Sequence, residues 1–254
     1  MRYRWFYLGL LVCLGCRSSS AERTNCCVAP TTVTAKPAAL PVHSALPPII
    51  LEVRPSGESL DQAATCIERG DAASAVDHLN RHLKRFPEQI MIRAYLAELL
   101  LKMKKLPDAQ DQFERFIAAA QEADPGAPGR EHIVHCHTRL MEIAQEREDA
   151  YAEHLHRGIG MVLLARRLVE GAADDDDADV FCERLLCKAA TELTKAAKAR
   201  PDEPRPHWYL AEVWTMLEQP HAAAKAMHET RQRAALVPLP PAEHRALVLM
   251  EIPE

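Results

Sequence analysis

The sequence predicts an all-α fold of stacked helical hairpins, and three observations predict it. The first is a repeat. Residues 60 to 117 hold one pattern twice: Ala63, Gly70, Ala75, Leu79, His82 and Pro87, shifted by 34, land on Ala97, Lys104, Ala109, Phe113, Phe116 and Gln121. A fixed period of this length marks helix–turn–helix units that must stack, because one hairpin cannot bury its apolar face. The second is composition. Only nine of the 254 residues are Gly, while Ala, Leu, Glu, Arg and Lys are abundant and β-branched runs are scarce, a balance that favours helix. The third is punctuation. Pro87 and Pro201 fall between units, where a residue without an N–H ends a helix at little cost.

The repeats can be matched to a known type. Leu96-Ala97-x-x-Leu100 followed by Ala109-x-x-x-Phe113 resembles the tetratricopeptide repeat (TPR), and Ala75-x-x-x-Leu79 before Pro87 resembles the second half of the preceding unit. Leu210-Ala211-x-x-Trp214 and Ala223-x-x-x-Met227, after Pro201, fit the same frame. The resemblance implies a right-handed superhelix of antiparallel helix pairs. Ala63, Ala97 and Ala211 would let helix A approach helix B, and Ala75, Ala109 and Ala223 would do the same from the other side. Leu96, Leu100, Phe113 and Phe116 would fill the space between hairpins.

The chain opens with a candidate export signal over residues 1–16. Arg2 and Arg4 precede an apolar run from Trp5 to Gly15 that is too short to span a bilayer as a helix. Cys13-Leu14-Gly15-Cys16 resembles a bacterial lipobox, which implies that Cys16 becomes a diacylated mature N-terminus. More than one acyl chain makes such an anchor stable. Cys13 and Leu14 depart from the usual residues at those positions. An ordinary secretory signal and an uncleaved anchor therefore stay open as alternatives. Arg17 is not the Asp that retains lipoproteins in the inner membrane of enteric bacteria, which favours the outer membrane.

Residues 17–56 read as a Ser/Thr/Pro-rich tether without helical or strand periodicity. A flexible chain of about 40 residues reaches on the order of 35 Å. It would hold the repeat domain, 57–254, clear of a membrane. Within that domain the expected helices are 58–69, 71–85, 89–103 and 107–122, with Gly70 as a left-handed turn residue and Asp71 and Asp108 at helix starts. The run from Asp124 to Gly129 holds two Pro and two Gly and is a loop. It displaces the next unit by about ten residues. Residues 131–170 are helical but leave TPR spacing, and either Ala152 or Glu153 stands where Ala is expected. An acidic loop leads to a helix at 180–199. The last repeat spans 204–218 and 220–235, and a closing helix covers 242–250.

The net charge of −5 gives no basic surface for nucleic acid. No Gly-x-x-x-x-Gly-Lys, Gly-x-Gly-x-x-Gly or Gly-x-Ser-x-Gly occurs, so nucleotide-binding and hydrolase signatures are missing. Neither a cofactor nor catalysis is expected. The best lead for a metal is the His132–His156 region. His132 and Cys136 stand at i and i+4, a spacing that can chelate zinc, and His135, His137, His154 and His156 lie nearby. The alternative is surface and inter-helix histidines. Asp174 to Asp177 with Asp179 fail the EF-hand pattern, because Asp179 and Leu185 occupy the positions of the required Gly and Glu. The eight cysteines do not form a disulfide framework, and Cys66 is expected in the core.

Binding to a protein or peptide is the function that the resemblance implies, through a concave face lined by helix A. In the second repeat its groove positions fall on Met91, Ala94, Glu98, Leu101 and Lys102. In the last repeat they fall on Arg205, Trp208, Glu212, Thr215 and Met216. Ala64, Glu98 and Glu212 stand where a carboxylate clamp needs Asn, which argues against acidic peptide ends as ligands there. Trp208 and Met216 are the candidate apolar anchors. The reading is a lipid-anchored envelope scaffold, with a metal-binding protein or enzyme at His132–His156, or a structural subunit of a larger complex, as alternatives.

Overall fold

The computed structural model describes residues 58–123, 129–171 and 176–250. The leader with Cys16, the tether and residues 172–175 of the acidic loop lie outside them, while Asp176 to Asp179, expected in that loop, belong to the following helix. In order, the helices are α1 (Glu58–Glu68), α2 (Ala72–Arg85), α3 (Ile90–Lys102), α4 (Leu106–Glu122), α5 (Ile133–Glu146), α6 (Ala150–Gly171), α7 (Asp176–Ala199), α8 (Arg205–Met216), α9 (Pro220–Ala234) and α10 (Pro241–Leu249). Among the described residues there is no strand, and no helix is long and apolar enough to cross a membrane. The chain is all-α, a TPR-like stack of antiparallel helix pairs.

Local chemistry sets the helix ends. Asp71 caps α2 by accepting from the Ser74 N–H at 3.1 Å, which satisfies one of the free amides of the first turn. Lys84 and Arg85 close that helix, where positive charge suits the dipole. α4, α8, α9 and α10 each carry Pro in the first turn, the position at which its missing N–H is no loss.

Four hairpin turns share one backbone. Gly70, Lys104, Glu148 and Glu218 all have positive φ, at 77, 58, 56 and 55°. At Gly70 the amide donates to the Ile67 carbonyl, and the next amide, Asp71, donates to Cys66. The same pair of bonds recurs at Lys104, Glu148 and Glu218. This is the Schellman arrangement that closes a helix through a left-handed residue. Gly adopts it freely, whereas a side chain there costs roughly 1–2 kcal/mol. The sequence pointed to Gly70 and missed the other three. Their spacing gives the repeat frame: Glu148 lies 44 residues after Lys104, so the loop ending at Gly129 does insert about ten residues.

That frame settles the Ala152/Glu153 ambiguity. The residue five after each left-handed turn donates to the residue just after that turn: Ala75 to Asp71, Ala109 to Lys105, Glu153 to Asp149 and Ala223 to Gln219. Glu153 therefore takes the Ala position of the third hairpin. On α5 the partner position, seven before the turn, holds Met141 instead of Ala63 or Ala97. The hairpin α5–α6 keeps the turn and drops both small residues. Close approach moves to the next interface. A Cβ on Gly158 of α6 would stand 2.7 Å from the Leu193 side chain of α7.

α7 is the departure from simple pairing. It lies against both α6 and α8 and belongs to no TPR-like pair of its own. A single helix between hairpins shifts the alternation by one. α8, the first helix of its hairpin, consequently touches α6, the second helix of an earlier one, and α10 reaches back to α4. Two apolar cores result. One gathers Leu79, Leu96, Phe113, Phe116 and Leu140 from α2 to α5, the other Ile159, Leu186, Leu193, Tyr209 and Val213 from α6 to α8. Leu163 packs against both. Cys66 is half-buried, where Leu100 at the matching position is buried.

Candidate functional site

Two arrangements concentrate polar chemistry. The first joins α3 to α5. Glu98 Oε1 accepts from His135 Nε2 and from Arg139 Nε, both at 2.9 Å, and Arg139 also bonds Glu142 at 2.8 Å. Burial opposes charge on Glu98, but the bonds from His135 and Arg139 outweigh it and hold the carboxyl below its ordinary range. Glu98 therefore stays ionised and ties one first helix to the next. Around it, Met91 and Leu101 are half-buried, Ala94 is buried and Lys102 is exposed. This face offers an apolar shoulder, a fixed ion cluster and the exposed Lys102 amine.

The second arrangement lies where α6, α8 and α10 meet. Arg205 Nε donates to both Glu243 oxygens, at 2.9 and 3.1 Å, and the Tyr209 hydroxyl donates to the same carboxylate at 2.8 Å. Glu243 is 4% exposed. Burial alone would lower the Arg205 pKa, but the adjacent Glu243 carboxylate raises it above the ordinary value. The pair is a closed ionic clasp, and a carboxylate left alone at such a site would be costly. Next to it lies a buried histidine pair. His137 Nδ1 and His156 Nδ1 are 3.0 Å apart. Burial, together with the Arg205 charge, keeps both rings neutral: His137 is pushed well below its ordinary value and His156 down to about 3. His137 Nε2 is buried without a partner.

The histidines of the 132–156 region are thus dispersed. His132 lies 3.6 Å from Glu131, His135 bonds Glu98, His154 bonds Glu192 at 2.8 Å, and His137 bonds His156. Cys136, the i+4 companion of His132, is buried, and that burial with the nearby Glu98 charge pushes its thiol up to about 12, the reverse of what a metal ligand needs. Among the described residues no three His, Cys, Asp or Glu side chains are grouped to hold a metal ion.

The residues expected on α8 are occupied within the fold. Arg205 is held by Glu243, Glu212 is bonded by Arg166 of α6, and Trp208 is 9% exposed in the C-terminal core with Met216 packed against it. Thr215 is exposed. Of the α3 set, Glu98 is bonded to α5 and not to α8 or α10, so the two sets are held by different elements. Sequence reasoning missed Tyr209 and Glu243. The signal available for Glu243 was a lone carboxylate in the short closing helix, too common a feature to single out.

No family model matches the chain, and no curated protein matches it. Similar solved structures include the crystal structure of MamA protein, 13% identical over 71% of this chain and 94% of that one, with a TM-score of 0.36. TTC0263, a thermophilic TPR protein of Thermus thermophilus, is 17% identical over 75% and 80%, with a TM-score of 0.32. Acl4, an assembly chaperone of RpL4, is 16% identical over 76% and 82%, with a TM-score of 0.33. This is a likeness of helical-hairpin architecture and nothing more.

Proposed function

We propose that this chain is a scaffold, not an enzyme, that binds a protein or peptide partner on the α3–α5 face and is held to a bacterial envelope membrane by lipid on Cys16. The observation that carries the binding reading is the α3–α5 face itself. Met91 and Leu101 offer apolar contact beside exposed Lys102, while Glu98, His135 and Arg139 are fixed in place. A rigid, preorganised surface loses little conformational entropy when it engages a partner. The anchor reading rests on the sequence: Arg2, Arg4, the apolar run and the Cys13–Cys16 motif. It places the repeat domain in the periplasm, with the outer membrane favoured over the inner.

The test has two parts. Mass spectrometry of the mature N-terminus from membranes should find acylated Cys16; an unmodified N-terminus at Met1 sinks the anchor. A photocrosslinker at Lys102 should capture one discrete partner that is lost in Leu101→Asp. Equal capture from a crosslinker at exposed Leu236, between α9 and α10, would count against the α3–α5 face.

A further inference from the structure

A cavity of about 380 Å³ opens between α6, the segment leading into α8, and Pro238–Pro240. Its volume lies in the range of small-ligand sites. The proposed scaffold role does not use it. Its wall includes Tyr151, His156, Arg200, Glu203 and Arg205, and their bonding shows which atoms are left to act there.

Arg205 commits only Nε to Glu243. Nη1 and Nη2 have no acceptor among the described residues, and the side chain keeps 19% of its surface. His156 commits Nδ1 to His137. The proton positions in that pair follow from His137 Nε2, which is buried and unpartnered. A buried unpaired N–H is rarer than a buried unpaired lone pair. His137 therefore carries its proton on Nδ1 and donates it to His156 Nδ1, which leaves the proton of neutral His156 on Nε2. Arg205 and His156 thus present N–H donors to the cavity, and the Tyr151 hydroxyl adds a third group, its ring held under Arg200 at 4.2 Å. The opposite charge is also present. Asp149 is neutralised by Arg200 at 2.8 Å, whereas Glu203 has no basic partner among the described residues; Glu114, across the cavity on α4, has none either but accepts from Gln110 at 2.8 Å.

We infer that this cavity binds a small amphoteric molecule, a free amino acid, with its carboxylate on Arg205 and His156 and its ammonium on Glu203. A simple anion would meet Glu203 unfavourably, and a simple cation would meet Arg205. The site is separate from the α3–α5 face and does not depend on that reading.

The test titrates the full chain with the twenty standard amino acids, reading the His156 imidazole resonances and the heat of binding. Each ligand that binds is compared with its N-acetyl derivative, its amide and inorganic phosphate. Saturable binding is expected for the amphoteric form, at least tenfold weaker for either singly charged form, with no response to phosphate. Glu203→Gln, at a half-buried position outside the clasp, should remove the preference for the free amine over the N-acetyl form. Arg205→Gln combined with Glu243→Gln replaces the clasp by a neutral hydrogen-bonded pair and should abolish binding while the protein still melts cooperatively. Binding by none of the twenty, equal binding of the singly charged forms, or an unchanged preference in Glu203→Gln would each overturn the assignment.

Discussion

The two halves of this domain solve the same packing problem with different materials. From α1 to α4, the positions that face the next hairpin are apolar: Leu79, Phe113 and Phe116 are 3%, 0% and 0% exposed. The polar exception is His82, at the position of Phe116, and both its nitrogens are bonded, to Ser59 at 3.2 Å and Gln89 at 2.8 Å. From α5 to α10, the equivalent layer contains a histidine pair, Glu192, Thr230 and the Arg205–Tyr209–Glu243 clasp. An apolar layer tolerates small shifts of register, because burial has no direction. A buried ionic layer does not, since one displaced partner leaves a charge unpaired. The polar half is therefore the part that fixes where α10 must sit.

The largest effect should come from breaking each layer at its centre. Phe113→Ala should cost about 3–5 kcal/mol by opening a cavity between α3 and α4. Glu243→Ala should cost a similar 3–5 kcal/mol, roughly, by stranding Arg205. Denaturant melts distinguish the two by what rescues them. Replacing Arg205 as well, with Met, should recover most of the Glu243→Ala loss; an unrecovered loss would mean that the clasp acts through packing alone.

Acid sharpens the contrast further. In the unfolded chain His137 and His156 take up protons near their ordinary value of 6.5, but in the folded chain they do so only far lower, His156 at about 3. Between those values the unfolded state holds more protons, so stability is full above pH 6.5 and falls as pH drops. The loss should be about 2 kcal/mol per ring by about pH 5. A double His137→Leu, His156→Leu variant should flatten that slope, and an unchanged slope would assign the acid sensitivity elsewhere. A smaller effect is expected at Gly158→Ala, where the added methyl meets Leu193; it should cost about 1–3 kcal/mol. The smallest is a gain. Glu218→Gly relieves a left-handed side chain and should add about 1 kcal/mol, seen as a higher midpoint of thermal unfolding.

How far the sequence reaches differs between these layers. Ala63, Ala97, Ala75 and Ala109 are each at most 1% exposed, as their spacing required, because two helices cannot approach over larger side chains. The helix ends were readable from Asp108, Asp71 and Gly70, whose effects are local. The candidate site was only half legible. The resemblance placed Glu98 and Arg205 on one kind of face, yet Glu98 is tied to α5 and Arg205 to α10. Nothing within one repeat distinguishes those outcomes.

The sequence by itself determined the helices and the small-residue positions of the first two hairpins, since propensity, caps and repeat spacing are local. The tertiary structure decided which polar residues meet: His137 with His156 across 19 positions, Arg205 with Glu243 across 38. His137 and His156 meet inside the α5–α6 hairpin, whereas for Arg205 and Glu243 the physical reason is α7. One unpaired helix shifts the order of every element after it, and the identity of each later neighbour is set by that shift and not by the repeat motif.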